Sequence, residues 1–103
     1  MPVSKILELY ARNGHSLIDN GLNEAALPLA DADTALQLFS QQRWHVLGGD
    51  VYRLDESGRF EPTYENWFYD GVDGLQSVAV ARDFVSGLAG RPVYIVFVVE
   101  DRD

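Results

Sequence analysis

Between Trp44 and Tyr69 the chain spells out two strands and the turn that joins them, and the pairing constrains everything that packs around it. Trp44-His45-Val46-Leu47-Gly48-Gly49-Asp50-Val51-Tyr52 leads into Asp55-Glu56-Ser57-Gly58, and Tyr64-Glu65-Asn66-Trp67-Phe68-Tyr69 follows. The four turn residues suit a type I turn closed by glycine in the left-handed conformation, which makes a bulge. That turn pairs Leu54 with Phe60, Tyr52 with Pro62, Asp50 with Tyr64, Gly48 with Asn66 and Val46 with Phe68. On the opposite face it pairs Arg53 with Glu61, Val51 with Thr63 and Leu47 with Trp67, a set that includes a salt bridge and aromatic–aliphatic contacts. Gly48-Gly49 inside a strand signals a bulge or the close approach of another backbone.

The flanking segments are helical or extended by their spacing. Ser4 is placed to cap a helix over about 4–13, with Ile6, Leu9 and Tyr10 on one face and Asn13-Gly14 to end it. From His15 to Leu29 the chain is punctuated by Asn20-Gly21 and Pro28, and Leu17-Ile18 or Ala25 to Leu29 suit short extended pieces. Asp31 or Asp33 caps a second helix over about 32–42, with Leu36 and Phe39 inward. A third helix over about 74–89 carries Val78, Ala81, Phe84, Val85 and Leu88 as its apolar stripe, and Gly90 stops it. The run at about 92–99 is apolar on both faces, which marks a central strand. Together with a hairpin at about 44–54 and 59–69, these elements predict an α+β domain: a small, mostly antiparallel sheet packed with three helices.

At 103 residues, 47% of them hydrophobic, the sequence is expected to fold as a single domain over 1–103. It has no cysteine, which removes disulfides and thiolate metal sites and fits a reducing, cytoplasmic setting. No N-terminal segment resembles a signal peptide, and the apolar run near the C-terminus is too short to cross a bilayer. Eight basic residues against sixteen acidic ones give a net charge of −8. Between Asp50 and Asp73 seven carboxylates stand against two arginines, so most of that excess is local. Nucleic acids and anionic membranes select for basic patches, so neither is an expected partner. Moderate acidity also serves simply to keep a protein soluble.

Residues for catalysis are sparse. Asp50 reads as a general acid or base, as a metal ligand, or as a structural carboxylate accepting bonds from backbone amides or Tyr64. Paired with Glu61 or Glu65 it would resemble the carboxylate pair of a glycosidase, but nothing fixes the separation that chemistry needs. His15 and His45 lack the spacing of zinc ligands, and no serine sits in a nucleophile elbow. Asp55, Glu56, Asp70 and Asp73 lack the spacing of a calcium loop and suit solvated turns. The glycines form no phosphate loop, so no cofactor is expected. The aromatic residues suit a binding surface better. Only one face of a small sheet can be covered by the same helices, which leaves aromatic rings on the other. Glu61, Glu65, Trp67, Tyr69, Asp70 and Asp73 are the candidate contact residues, and Gly48, Gly49, Asp50, Tyr64 and Asn66 are given structural roles.

Three stretches carry a resemblance: Asp33-Thr34-Ala35-Leu36 opening the second helix, Val46-Leu47-Gly48-Gly49-Asp50-Val51-Tyr52, and Tyr64-Glu65-Asn66-Trp67-Phe68-Tyr69. With them the chain resembles the small immunity proteins of bacterial polymorphic toxin systems, although Phe68 stands where that pattern has tyrosine. The resemblance implies a non-enzymatic protein that binds and neutralises a cognate toxin encoded beside it. An acidic, aromatic patch suits the basic cleft of a nuclease toxin, and such a patch speeds association by steering. It transfers no contact residue and leaves the oligomeric state open. Two other readings stand beside it: a small carbohydrate-acting or metal-dependent enzyme using Asp50 and Glu65, and a non-catalytic scaffold subunit.

Overall fold

The computed structural model describes residues 2–17, 22 and 24–101. In chain order its elements are α1 (Pro2–Asn13), β1 (His15–Ser16), β2 (Ala25–Pro28), α2 (Ala32–Gln41), β3 (His45–Leu54), β4 (Phe60–Phe68), α3 (Gly74–Ser86) and β5 (Tyr94–Glu100). The strands form one sheet in the order β1-β2-β5-β3-β4, with every neighbouring pair antiparallel. The expected α+β class is correct, and the sheet gains two strands from the segment that punctuation had obscured. Of that segment, Ile18 and Asn20-Gly21 lie outside the described residues.

The two faces of the sheet are covered unequally. All three helices lie against one face, where Ile6, Leu36, Phe39, Val78 and Ala81 pack on Leu27, Val46, Val51, Ile95 and Phe97. Burying a large apolar side chain contributes about 1.5–3 kcal/mol, so this cluster dominates the stability of the fold. Among the described residues, the other face holds a small cluster of Leu17, Ala26, Tyr52 and Val96, edged by Leu22, Phe60 and Tyr94. His15 sits edge-on to Phe60 and Tyr94, at 5.6 and 5.3 Å between ring centres. Strand β5 touches both clusters, through Ile95 and Phe97 on one side and Val96 on the other. Its doubly apolar sequence is therefore the mark of its central place.

The helix ends differ from expectation in instructive ways. Helix α1 begins at Pro2, where a missing N–H costs nothing, so Ser4 lies inside the helix and does not cap it. Neither aspartate caps α2. Asp31 has helical dihedrals after a 3-10 turn over Leu29–Asp31, and its carboxylate accepts a bond from Asn13 Nδ2 at 3.1 Å. Asp33 instead pairs with Arg82. Helix α2 ends with Arg43 at φ +60°, the Arg43 and Trp44 amides donating to the Ser40 and Phe39 carbonyls. This six-residue closure brings Trp44 onto Phe39, 6.0 Å between ring centres. Helix α3 is regular to Ser86 and then tightens into single turns, with Leu88 buried, before Gly90 at φ +83°.

The hairpin turn forms as its residues dictate. Asp55 donates its amide to the Arg59 carbonyl, Gly58 sits at φ +82°, and the Asp55 carboxylate accepts from Ser57 and Arg59. Next to the turn the register is the expected one: Leu54–Phe60, Arg53–Glu61 and Tyr52–Pro62. Beyond it the pairs are Asp50–Asn66, Gly49–Trp67 and Gly48–Phe68, so β4 has run two residues ahead. The cause is a bulge around Tyr64, which adopts φ +69°. The expected Asp50–Tyr64, Gly48–Asn66, Val46–Phe68 and Leu47–Trp67 pairs are therefore incorrect. A slip of two residues leaves side chains on their original faces from Gly48 to Leu54, but a further one-residue shift between Val46 and Gly48 turns Val46 to the helix side, away from Phe68.

Candidate functional site

The sheet separates the candidate residues into two groups. Glu61, Glu65 and Trp67 lie on the helix side of β4, whereas Asn66 and Phe68 lie on the other side with Asp50 and Gly48, their partners on β3. Trp67 is half-buried; it stacks on Phe84 of α3 at 4.7 Å and meets Phe97 edge-on. Its indole Nε1 is buried and has no hydrogen-bond partner among the described residues. The ring thus extends the core rather than standing out from it.

Both glutamates on this side are matched by arginines. Arg53 Nε donates to Glu61 at 2.7 Å, and Arg91, from the turn before β5, grips Glu65 with two bonds of 2.8 and 2.6 Å. The Arg91 guanidinium, with further help from Thr63, holds the Glu65 carboxyl down at about 2. The hydrogen bond from Arg59 and those from Ser57 lower Asp55 as well. Because its folded value lies below the ordinary 4.5, Glu65 binds its proton less readily in the folded chain than in the unfolded one. Its contribution is complete above the unfolded value and disappears as the pH falls through about 2. A Glu65→Gln variant should therefore trail wild type by a constant gap above pH 4.5, and the gap should close in stronger acid. Denaturant midpoints measured from pH 7 down to pH 2 check this. Both side chains are more than 40% exposed, so the gap should be small. A gap independent of pH would mean that the ion pair contributes nothing through charge.

The remaining candidates occupy the connection from β4 to α3. The Tyr69 amide donates to the Leu47 carbonyl at 2.8 Å, Asp70 is exposed, and Asp73 caps α3 by accepting from Leu75 and Gln76. One turn further on, the buried Ser77 hydroxyl accepts the Val46 amide at 3.0 Å beside the second irregularity of β3.

Asp50 is on the side away from the helices. Its carboxylate has no hydrogen-bond partner among the described residues, so neither Tyr64 nor a backbone amide plays the expected role. Together with burial and Glu24, its charge raises the Tyr52 phenol. Asp50 and Glu65 thus lie on opposite sides of the sheet, and Asp50 and Glu61 likewise, so no carboxylate pair converges on a common substrate. A hollow of about 470 Å³ at the start of α3 is bounded by Ser40, Arg43, Trp44, His45, Asp73, Gly74 and Leu75. Another of about 590 Å³ lies between Leu29 and the end of α3. Neither includes Asp50 or Glu65. Among the described residues, no group of three or more histidines and carboxylates is placed to hold a metal ion. No described helix is long and apolar enough to cross a membrane.

On the uncovered side Phe68 is 77% exposed, and Val98 of β5 stands beyond Gly48 in the same cross-strand row. Phe68 and Val98 were not singled out from the sequence. The signal was available in the alternation: they point away from Trp67 and Phe97, the residues that the helices need.

These features describe an α+β domain with one sheet face dressed by helices and the far end of the other left open, an architecture suited to presenting a surface. Residues 16–99 match the model of the family described as Immunity protein 40, and the chain belongs to that family. Comparison with curated proteins and with solved structures returned no match.

Proposed function

We propose that this chain is a single-domain immunity protein that acts in the cytoplasm, binding and neutralising the toxin domain of a bacterial polymorphic toxin system without catalysing a reaction. The family match over residues 16–99 carries the reading, since immunity proteins in general have a toxin as partner. The net charge of −8 supports a toxin with a basic surface, such as a nuclease whose active-site cleft attracts phosphates. The separation of Asp50 from Glu61 and Glu65 across the sheet gives the enzyme alternative no supporting geometry.

Co-expression with the toxin encoded by the neighbouring gene tests the proposal. Growth should be arrested by the toxin alone and restored by this chain, and the two purified proteins should form a complex. Association should slow as ionic strength rises, because screening removes the steering between opposite charges. Continued arrest in the presence of folded, expressed chain would overturn the reading. Rescue with salt-independent association would retain immunity and replace the electrostatic surface with a mainly apolar one.

A further inference from the structure

Strand β3 begins where β4 and β5 end: Gly48 pairs with Phe68, and His45 with Glu100. One end of the sheet therefore gathers the start of β3, the connection from β4 to α3 and the end of β5. Of the seven large apolar side chains exposed among the described residues, four are at this end: Phe68, Val72, Leu75 and Val98. Val72 is 87% and Leu75 73% exposed, and the two flank Asp73 and Gly74 at the hollow of about 470 Å³. Half-buried Trp44, Leu75 and the buried His45 wall this hollow around Gly74, with the exposed Arg43 and Asp73 beside them. The connection is pinned along its length. The Tyr69 amide holds it to the Leu47 carbonyl, and the Tyr69 ring lies against Gly71, where a Cβ would meet the phenol. The Asp73 carboxylate accepts from Leu75 and Gln76, its carbonyl accepts from the Ser77 amide, and the Ser77 hydroxyl accepts from Val46. Val72 and Leu75 are thus held out on a fixed loop, which lowers the ordering cost of binding.

Exposed valine and leucine beside a hollow with an aromatic wall gain from being covered. The charges around them select what covers them. Asp70, Asp73 and Asp101 are exposed carboxylates at this end, and Arg43 is the one cation among its described residues. A second copy of the chain, docked through the same surface, would set these carboxylates against their own kind. A nucleic acid or an anionic membrane would be repelled. A protein surface with basic residues around an apolar side chain satisfies both the rings and the charges. We propose that the toxin domain docks on this end of the sheet. It seats an apolar or aromatic side chain in the hollow between Trp44 and Leu75, packs against Val72, and sets lysines or arginines over Asp70 and Asp101. This rests on the immunity reading above and locates its contact.

Titration of the full chain against the purified toxin domain of the neighbouring gene tests it, with calorimetry for affinity, stopped flow for association rate and circular dichroism to confirm folding. A double variant, Val72→Ala with Leu75→Ala, should weaken binding at least tenfold, as expected at a central anchor. Both side chains are exposed, so the variant should keep its fold. Ser40→Tyr, which fills the hollow from α2, should weaken binding to the same degree. Asp70→Lys should slow association at least threefold at about 0.15 M salt, where screening confines the effect to nearby charges. Glu56→Lys makes the same change of charge in the hairpin turn at the opposite end of β3, and should alter the rate less than twofold. If wild type binds and the folded variants of Val72, Leu75 and Ser40 bind within twofold of it, this contact is wrong while immunity stands. Equal slowing by Asp70→Lys and Glu56→Lys would overturn it too, as would a dimer of the chain alone, seen by sedimentation, that the double variant splits. If wild type binds no toxin domain, both the contact and the immunity reading are overturned.

Discussion

Gly48→Ala is expected to destabilise the protein by about 3 kcal/mol or more, at the upper end of what overpacking costs. A methyl group built on Gly48 would lie 2.3 Å from the Trp67 carbonyl oxygen and 3.0 Å from the Phe68 Cα. Both obstacles are backbone, so no side chain can rotate away; β4 itself must shift. That shift would pull apart the Gly48–Phe68 and Gly49–Trp67 pairs and loosen the stacking of Trp67 on Phe84. A domain of this size has only about 5–15 kcal/mol of stability in total, so a substantial part would be lost. Urea unfolding followed by tryptophan fluorescence reads the effect, because Trp67 reports on the disturbed region. A variant within 0.5 kcal/mol of wild type would show that β4 can retreat freely.

Phe39→Ala should cost about 3–5 kcal/mol through a different mechanism, the opening of a cavity. Phe39 is 1% exposed, and its ring contacts Trp44 at 6.0 Å and Phe97 at 5.6 Å. Removing it takes away the link between α2, the start of β3 and the central strand at once. It also strips the apolar contact from the turn that reverses the chain at Arg43, whose positive φ is unfavourable in itself. With about 4–8 °C lost per kcal/mol in a domain near 100 residues, the melting temperature should fall by roughly 12–40 °C. Scanning calorimetry checks this, and a fall under 5 °C would show that neighbouring rings collapse into the space.

The parts of the fold that were legible in the sequence are those set by local chemistry. Asp55-Glu56-Ser57-Gly58 specified its turn, and the turn specified three pairs of strand residues beyond it. The alternating and helical stripes placed the hairpin, the three helices and the last strand within a few residues. What escaped was non-local. Nothing in Tyr64 announces a positive φ, since tyrosine has no preference for it, so the two-residue advance of β4 could not be foreseen. Arg91 meets Glu65 across 26 residues, so a glutamate that counted toward an acidic patch is in fact matched by an arginine. Asp73 read as a surface charge because its capping role depends on where α3 begins. For the surface, the inference that one sheet face escapes the helices was sound in form. Assigning residues to that face required the helices to be seen, and they claimed Trp67 and left Phe68.

The position of β5 has a consequence for how the molecule is made. The β1–β2 pair and the β3–β4 hairpin are joined in the sheet only through this strand, which is the last element of the described chain. A two-stranded ribbon is marginal in water by itself, and Ile95 must find both Leu27 and Val51 across long stretches of sequence. During synthesis the sheet therefore stays in two pieces, held only by the helices packed on them, until this strand is made.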